Sequence, residues 1–398
     1  MNAVIVGGLR TPVGRYGGAL AGVRPDDLAA HVVRGVVEAA GIDPEEVDEV
    51  ILGNANGAGE ENRNVARMAW LLAGFPDSVP GLTINRLCAS GMSAIALARA
   101  MILAGDAEVI VAGGVESMSR APWVLAKPGS PWARPGEIAD TSIGWRFTNP
   151  VFQAQPELTL SMPETAEEVA RRCAISREDA DLFALRSHER ALAARQAGLF
   201  GREILPVEVP TRAGTVLVSD DEGPRPDTSL EKLSRLAPVV RGGEVVTAGN
   251  SSSLNDGASA LLITSERAAE RLGLTPRARI VGSTNVGLEP AVMGLGPIGA
   301  VRALACRTGW GPEEADAIEL NEAFATQSLA CLRELHLDPE ITNAWGGAIA
   351  LGHPLGSSGS RIALTLLSRL EHEGGRRGIA TMCVGVGQGS ALALERIE

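Results

Sequence analysis

The sequence predicts an α/β protein in which one structural unit occurs twice, with a long insertion between the two core halves. Short β-type runs alternate with helical ones, which argues for layered helices and sheets. A polar Gly-rich turn, an apolar helix, a glycine stop and a β run ending in glycines occur in that order in both halves, the signature of a duplication. Between the halves the character changes: Pro, Trp and Gly cluster, and a charged helical stretch follows.

The elements follow in order. AVIVGG from Ala3 reads as a strand, Pro25 to Ala40 as a helix, and VDEVILGNA from Val47 as a second strand. Gly81–Ile84 is a short β run, and TINRLCASGMSAIALARAM then leads through a polar turn into a helix apolar on nearly all sides, which must be buried. AEVIVAGGVES closes this part. Residues 1–118 are read as the first half, 119–243 as an inserted loop or cap region, 244–274 as the end of the first half and 275–398 as the second half. In the second half ARIVGSTNVG answers AVIVGGLRTPVG, and GHPLGSSGSRIALTLLSRLEHEGGRRGIATMCVGVG answers NRLCASGMSAIALARAMILAGDAEVIVAGGVES. Groups at equivalent helix ends of the two halves would meet where the halves join.

Composition narrows the function classes. Hydrophobic residues are 45%, charged residues 21% and aromatics 3%, so small aliphatics must do most of the packing. The net charge of −12 argues against nucleic acid or an anionic membrane surface as partner, and any anionic ligand would need local basic groups. Five scattered cysteines without CxxC spacing form neither a disulfide framework nor a zinc pattern. No charged leader and no uncharged apolar run of membrane-spanning length is expected, and the chain is read as a soluble protein of a reducing, cytoplasmic compartment.

Cys88 stands where the polar turn becomes the apolar helix. The unpaired N–H groups and positive dipole end there favour a thiolate, although a small buried hydrophobe is the competing reading. His353 sits among glycines, where backbone or ligand can approach closely, or else is a turn histidine. His31, His188, His336 and His372 lie in or near helical patterns and are read as surface or packing residues. Cys383 ends a β run beside a Gly-rich loop and is either a second functional sulfur or a buried strand cysteine. Its GVGQG is not a dinucleotide loop, because the nine residues after Gly389 leave no room for a βαβ unit. Cys173, Cys306 and Cys331 are read as structural.

NRLCASGM, GGVESMSRAP, TAGNSSSLNDGASA, NEAFA, GGAIALGHPLGSSGSR and CVGVGQGSA, in this order, resemble the signature stretches of the thiolase family over essentially the whole chain. The resemblance implies a duplicated five-layered αβαβα fold, assembled as a homodimer or homotetramer. It also implies acyl-CoA chemistry with CoA and acyl-CoA as substrates, no permanently bound cofactor and no metal. ENRNVARMAWLLAGFPDSVPG, DTSIGWRFTNP and RPDT look most like the degradative branch acting on β-ketoadipyl-CoA.

The implied roles suit the residue types. Cleaving a carbon–carbon bond next to a ketone needs a nucleophile that can later leave, which a thiolate is. Cys88 would attack the 3-oxo carbon with His353 as base, and Cys383 would protonate the departing acetyl-CoA enolate and then deprotonate incoming CoA. Oxyanion donors would come from His353 with a water on Asn321, and from the backbone N–H groups of Cys88 and Gly385. Glu322 would orient His353 or a water, or be a structural carboxylate. Arg225 would lie beside the adenine of CoA, unless it is an ordinary solvated arginine; Ser252 would lie near the pantetheine, and Met293 and Phe324 at the acyl end.

Two positions depart from common family patterns. Ser161-Met162-Pro163-Glu164 stands where many short-chain members carry a histidine, and Val386 replaces a common glycine. The reading is therefore 3-oxoacyl-CoA thiolysis in fatty-acid or 3-oxoadipyl-CoA breakdown, with biosynthetic acetoacetyl-CoA thiolase as the alternative. More distant rivals are a ketoacyl synthase, which would leave Cys383 unexplained, and a non-catalytic acyl-CoA carrier.

Overall fold

The computed structural model describes residues 2–397. Strands β1 (Ala3–Arg10) and β2 (Gly14–Arg15) precede α1 (Pro25–Ala40), β3 (Glu49–Gly53), α2 (Val65–Leu72), β4 (Gly81–Ile84), α3 (Ser90–Ala104) and β5 (Val109–Ser117). The inserted region holds the hairpin β6 (Trp123–Leu125) and β7 (Ile138–Asp140), then α4 (Pro150–Gln153), α5 (Met162–Arg172), α6 (Arg177–Gln196), the hairpin β8 (Val207–Thr211) and β9 (Gly214–Val218), and α7 (Leu230–Ser234). There follow β10 (Asn255–Ser265), α8 (Glu266–Leu272), β11 (Ala278–Gly287), α9 (Gly296–Thr308), β12 (Ala317–Leu320), α10 (Ala325–Leu335), α11 (Ala348–Leu351), α12 (Leu355–Glu373), β13 (Arg377–Val384) and β14 (Gln388–Arg396).

The sheet order is β12-β13-β14-β11-β1-β10-β5-β3-β4. It divides at β1 and β11, which share only the pairs Val4↔Arg279 and Ile5↔Ala278. On either side the topology is the same. β1-β10-β5-β3 corresponds to β11-β14-β13-β12, with β3–β5 and β12–β13 parallel and the other pairs antiparallel. Even the register shifts recur, between Ile5 and Gly7 in β1 and between Ile280 and Gly282 in β11. The fifth strand does not: β4 pairs with β3, whereas the second half has only a bridge between Ile318 and Thr342.

Helices α3 and α12 pack on each other between the half-sheets, with α1 and α2 outside one and α9 and α10 outside the other, which makes five layers. Central position explains their composition. α12 is buried continuously from Gly356 to Leu370, and each fully buried aliphatic of α3, such as Ile95 or Ile102, contributes about 1.5–3 kcal/mol. The Ser-Gly motif of the two halves has one geometric cause. A Cβ on Gly359 would lie 2.3 Å from the Met92 nitrogen, and one on Gly91 would lie 2.7 Å from the Gly356 oxygen, so the helices cross where side chains are missing. By contrast α1 is amphipathic, starts with Pro25 and two aspartates, and stops at Gly41 with φ of 67°.

One apolar stretch approaches membrane-spanning character without being uncharged. Leu87–Ala104 is long and apolar enough to cross a membrane by length and composition, although it contains Arg99. Here it is a core helix between sheets, and Arg99 donates to the carbonyl oxygens of Ile280 and Val281 at 2.8 and 2.9 Å. The inserted region adds no sheet beyond its two hairpins among the described residues. It is fastened to the core through Arg10, whose guanidinium donates to Glu203 at 2.9 Å and to Asp221 at 2.8 and 3.0 Å in a fully buried cluster.

Candidate active site

Cys88 lies in a single 3-10 turn, Leu87–Ala89, that runs directly into α3. No side chain caps that helix, so its first N–H groups remain available. Leu87 sits at φ 47°, an unfavourable region for a branched side chain, and is held there partly by Asn85 Oδ1, which accepts from the Leu87 nitrogen at 2.9 Å. The backbone N–H groups of Gly385 and of Cys88 itself point at the Cys88 sulfur and favour its thiolate. Burial outweighs them and, with the charge of Glu116, pushes the thiol up to about 11.

His353 precedes α12, the partner of α3, and its backbone nitrogen donates to Asn255 Oδ1 at 2.9 Å. The tautomer follows from its neighbours. Ser358 Oγ gives its one proton to the Pro354 oxygen at 3.0 Å, so at 2.6 Å it accepts from His353 Nδ1–H. Nε2 is left with the lone pair, facing the Asn321 amide at 3.5 Å. Burial and the positive charge of Arg361 hold the imidazole down to about 3, a neutral base at ordinary pH. Asn321 follows β12, and its Oδ1 is buried without a partner. Neither sulfur hydrogen-bonds the imidazole among the described residues.

Cys383 is in the last turn of pleat of β13 and packs with Met162, Ala166, Val246, Met293, Ala323 and Phe324. Burial raises its thiol well above the ordinary range, and the nearby Cys88 adds to the rise. Met293 and Phe324, expected at the acyl end, pack in one buried cluster with this second sulfur. Gly385 follows two residues later; a Cβ there would lie 3.1 Å from Leu87 Cδ1. Next to it Val386 is exposed at φ 62°, a strained position for a β-branched residue.

Two cavities serve this region. One of about 220 Å³ is bordered by Cys88, Glu116, Gly385, Met162 and the inserted loop around Arg146. The other, about 380 Å³, is bordered by Arg15, Tyr16, His188, Arg225, Lys232, Ser251 and Ser253. Ser252 does not border it; its nitrogen donates to the Ala323 oxygen at 2.9 Å, while Ser251 bridges to Phe324. A larger cleft of about 470 Å³ between α6 and α10 holds none of Cys88, His353 and Cys383.

Glu322 takes the structural reading. Its oxygens accept from Ser187 Oγ at 2.6 Å, Asn343 Nδ2 at 2.9 Å and the Ile349 nitrogen at 3.2 Å, which ties the loop after β12 to α6 and α11. His188 takes the packing alternative: it is buried, its Nδ1 accepts from the Arg225 nitrogen at 3.2 Å, and burial with the charges of Arg225 and Arg15 lowers it to about 4. Cys331 is buried, Cys173 partly buried and Cys306 exposed, and Cys331 is near enough to Cys383 to add to the rise of its thiol. The sequence reading missed Glu116, Asn255, Ser358 and Arg146. All four lie in stretches that carry the family resemblance: Glu116 in GGVESMSRAP, Arg146 in DTSIGWRFTNP, Asn255 in TAGNSSSLNDGASA and Ser358 in GGAIALGHPLGSSGSR.

Residues 3–267 match the family described as thiolase, N-terminal domain, and residues 274–396 the thiolase C-terminal domain. The chain is 57% identical to a protein of Pseudomonas aeruginosa named beta-ketoadipyl-CoA thiolase, over 98% of each chain. It is 54% identical to the 3-oxoadipyl-CoA/3-oxo-5,6-dehydrosuberyl-CoA thiolase of Escherichia coli K12, over 100% of each. The crystal structure of the Bacillus anthracis acetyl-CoA acetyltransferase superposes with a TM-score of 0.93 at 44% identity, covering 100% of this chain and 99% of that one. With both domains matched and relatives of this identity along its whole length, the chain belongs to the thiolase family.

Proposed function

We propose that this thiolase cleaves medium-length 3-oxoacyl-CoA esters, 3-oxoadipyl-CoA foremost, through an acyl-Cys88 intermediate. The reading is supported by a sulfur under two backbone N–H donors, a second sulfur near it, and a neutral imidazole just ahead of α12, the helix that packs on the Cys88 turn. Cys88 Sγ–H gives its proton to His353 Nε2 as sulfur bonds to the 3-oxo carbon, and the oxyanion is met by preset donors. The bond between C2 and C3 breaks, and the enolate of acetyl-CoA takes the Cys383 proton. A thiol held well above the ordinary range is protonated at rest, which a donor requires. Incoming CoA returns a proton to Cys383, its sulfur attacks the Cys88 thioester, and Cys88 leaves as thiolate to recover the proton from His353.

The second cavity suits CoA: Arg15 and Arg225 offer positive charge for phosphates, Lys232 being paired with Asp227 at 2.8 Å, and Ser251 on its wall bridges to Phe324, which packs with Cys383. The beta-ketoadipyl-CoA names of the two relatives support the dicarboxylic substrate. A turnover panel over acetoacetyl-, 3-oxohexanoyl- and 3-oxoadipyl-CoA tests the preference, and acetoacetyl-CoA as the best substrate overturns it. Mass spectrometry after acetyl-CoA is expected to find the acetyl group on Cys88; its absence overturns the covalent route. Exposed Leu71 and Leu72 of α2 beside Leu82 of the edge strand β4 support a homodimer or homotetramer, and a monomer in sedimentation velocity overturns that.

A further inference from the structure

The cavity at Cys88 contains a charge that thiolysis itself does not use. Arg146, in the inserted loop after β7, borders the same 220 Å³ space as Cys88 and Gly385. Its guanidinium forms no ion pair among the described residues, and its one hydrogen bond runs from Nη2 to Asn56 Oδ1 at 3.3 Å. Asn56 is buried and fixed, since its Nδ2 donates to the Thr141 oxygen at 3.2 Å and to Thr141 Oγ1 at 2.9 Å. The arginine is thus held by a neutral partner, with most of its five N–H donors uncommitted. The nearby Arg120 differs: its guanidinium is taken up by Glu60.

Nothing else in the cavity's lining neutralises Arg146. Glu116 is the one carboxylate there among the described residues. Its two oxygens already accept from the nitrogens of Ala55, Asn56 and Gly356 and from the Asn54 amide. In a chain with a net charge of −12, an unpaired guanidinium in a pocket beside the nucleophile marks the place of an anionic group.

We propose that Arg146 is the specificity residue that receives the distal carboxylate of a dicarboxylic 3-oxoacyl-CoA, with Asn56 as its positioning residue. The inference rests on the thiolase reading of Cys88. Once the 3-oxo carbon is at the Cys88 sulfur, an acyl chain ending in a carboxylate two methylenes further on extends along this cavity, and a planar guanidinium can take both of its oxygens. A monocarboxylic chain of equal length ends there in a methyl group, which leaves the guanidinium unpaired and partly desolvated. Both effects favour the dicarboxylic ester.

The test compares 3-oxoadipyl-CoA with 3-oxohexanoyl-CoA, which carry the same carbon count and differ at the far end, in wild type and in Arg146→Gln and Arg146→Lys. The ratio of the two kcat/KM values is expected to fall about tenfold to a hundredfold in Arg146→Gln and less in Arg146→Lys. Loss of the loop's fold would slow both substrates and leave the ratio in place. An unchanged ratio in Arg146→Gln, with the wild-type preference present, overturns the role of Arg146 and leaves the thiolase reading standing. A wild type that thiolyses neither ester overturns the functional reading itself, and one without preference between them overturns the anionic pocket.

Discussion

The two halves have the same strand order, the same bulge and a central helix that begins at the same level, yet they finish those helix mouths differently. Where the first has Cys88-Ala89-Ser90-Gly91, the second has Gly356-Ser357-Ser358-Gly359. Ser90 and Ser358 both close their own turns, bonding the oxygens of Leu87 and Pro354, but Ser358 also receives the His353 ring. The N-terminus of α12 is covered by the first half, through Glu116 Oε2 and the Gly356 nitrogen at 2.9 Å, while that of α3 is left uncapped beside its own sulfur. At matching strand ends stand Glu116 on β5 and Cys383 on β13, and after the matching strands β3 and β12 stand Asn54 and Asn321, each with a buried, unpartnered Oδ1. Duplication therefore supplied a symmetric frame. A few polar positions were then made unlike, and the proposed mechanism uses that difference: an anion-stabilising mouth in one half, a base and a proton donor in the other.

The largest effect should come from exchanging the two sulfurs' fates. Cys88→Ser is expected to lower thiolysis about 10,000-fold and to abolish the acetyl adduct. Cys383→Ser should slow turnover by about 100- to 10,000-fold, the usual worth of a general acid or base, while the adduct on Cys88 still forms from acetyl-CoA. Rapid quench and intact-mass measurement separate the cases. If the two variants lose adduct and turnover alike, the halves do not divide the work in this way.

The duplicated frame was legible because its signals are local: glycines at the ends of β runs, Ser-Gly ahead of each apolar helix, and alternation of element types. The three candidate groups stand at element boundaries, His353 and Cys383 with glycines beside them, but the residues alone left each open against a packing or turn role, and only the family resemblance implied chemistry. What the residues alone could not reveal depends on long-range contact. Glu116 looks like one more polar residue at a strand end until Gly356, far along the chain, donates to it. His188 lies in a charged helical stretch, and only the fold turns it inward against Arg225. Met162 and Arg146 come from the inserted region, whose approach to Cys88 no periodicity encodes. Glu322 stayed open between two roles until Ser187, Asn343 and Ile349 were seen to occupy it.

A smaller effect sharpens the comparison through pH. His353 has its affinity for a proton lowered from 6.5 to about 3, so below about pH 6.5 the unfolded chain binds more protons than the folded one at this site. Stability from His353 is complete above its unfolded value and is lost as pH falls toward the folded one. Between about pH 6.5 and about pH 5 the loss is about 2 kcal/mol. Glu116 works in the opposite sense. Burial raises it from 4.5 to about 7, so between those values the folded protein holds the extra proton and stability declines as pH rises. The base of the second half and the acid of the first thus oppose each other across the same range, and wild type should show a flattened urea midpoint between about pH 5 and about pH 7. His353→Asn should leave the Glu116 slope, with the midpoint dropping as pH rises; Glu116→Gln should leave the His353 slope, with the midpoint dropping as pH falls. The glutamine variant is also expected to be less stable at every pH by about 1–3 kcal/mol, since an amide offers one acceptor oxygen to donors that now share two. Parallel midpoint curves for both variants and wild type would mean that these two buried groups do not set the pH response of the halves they belong to.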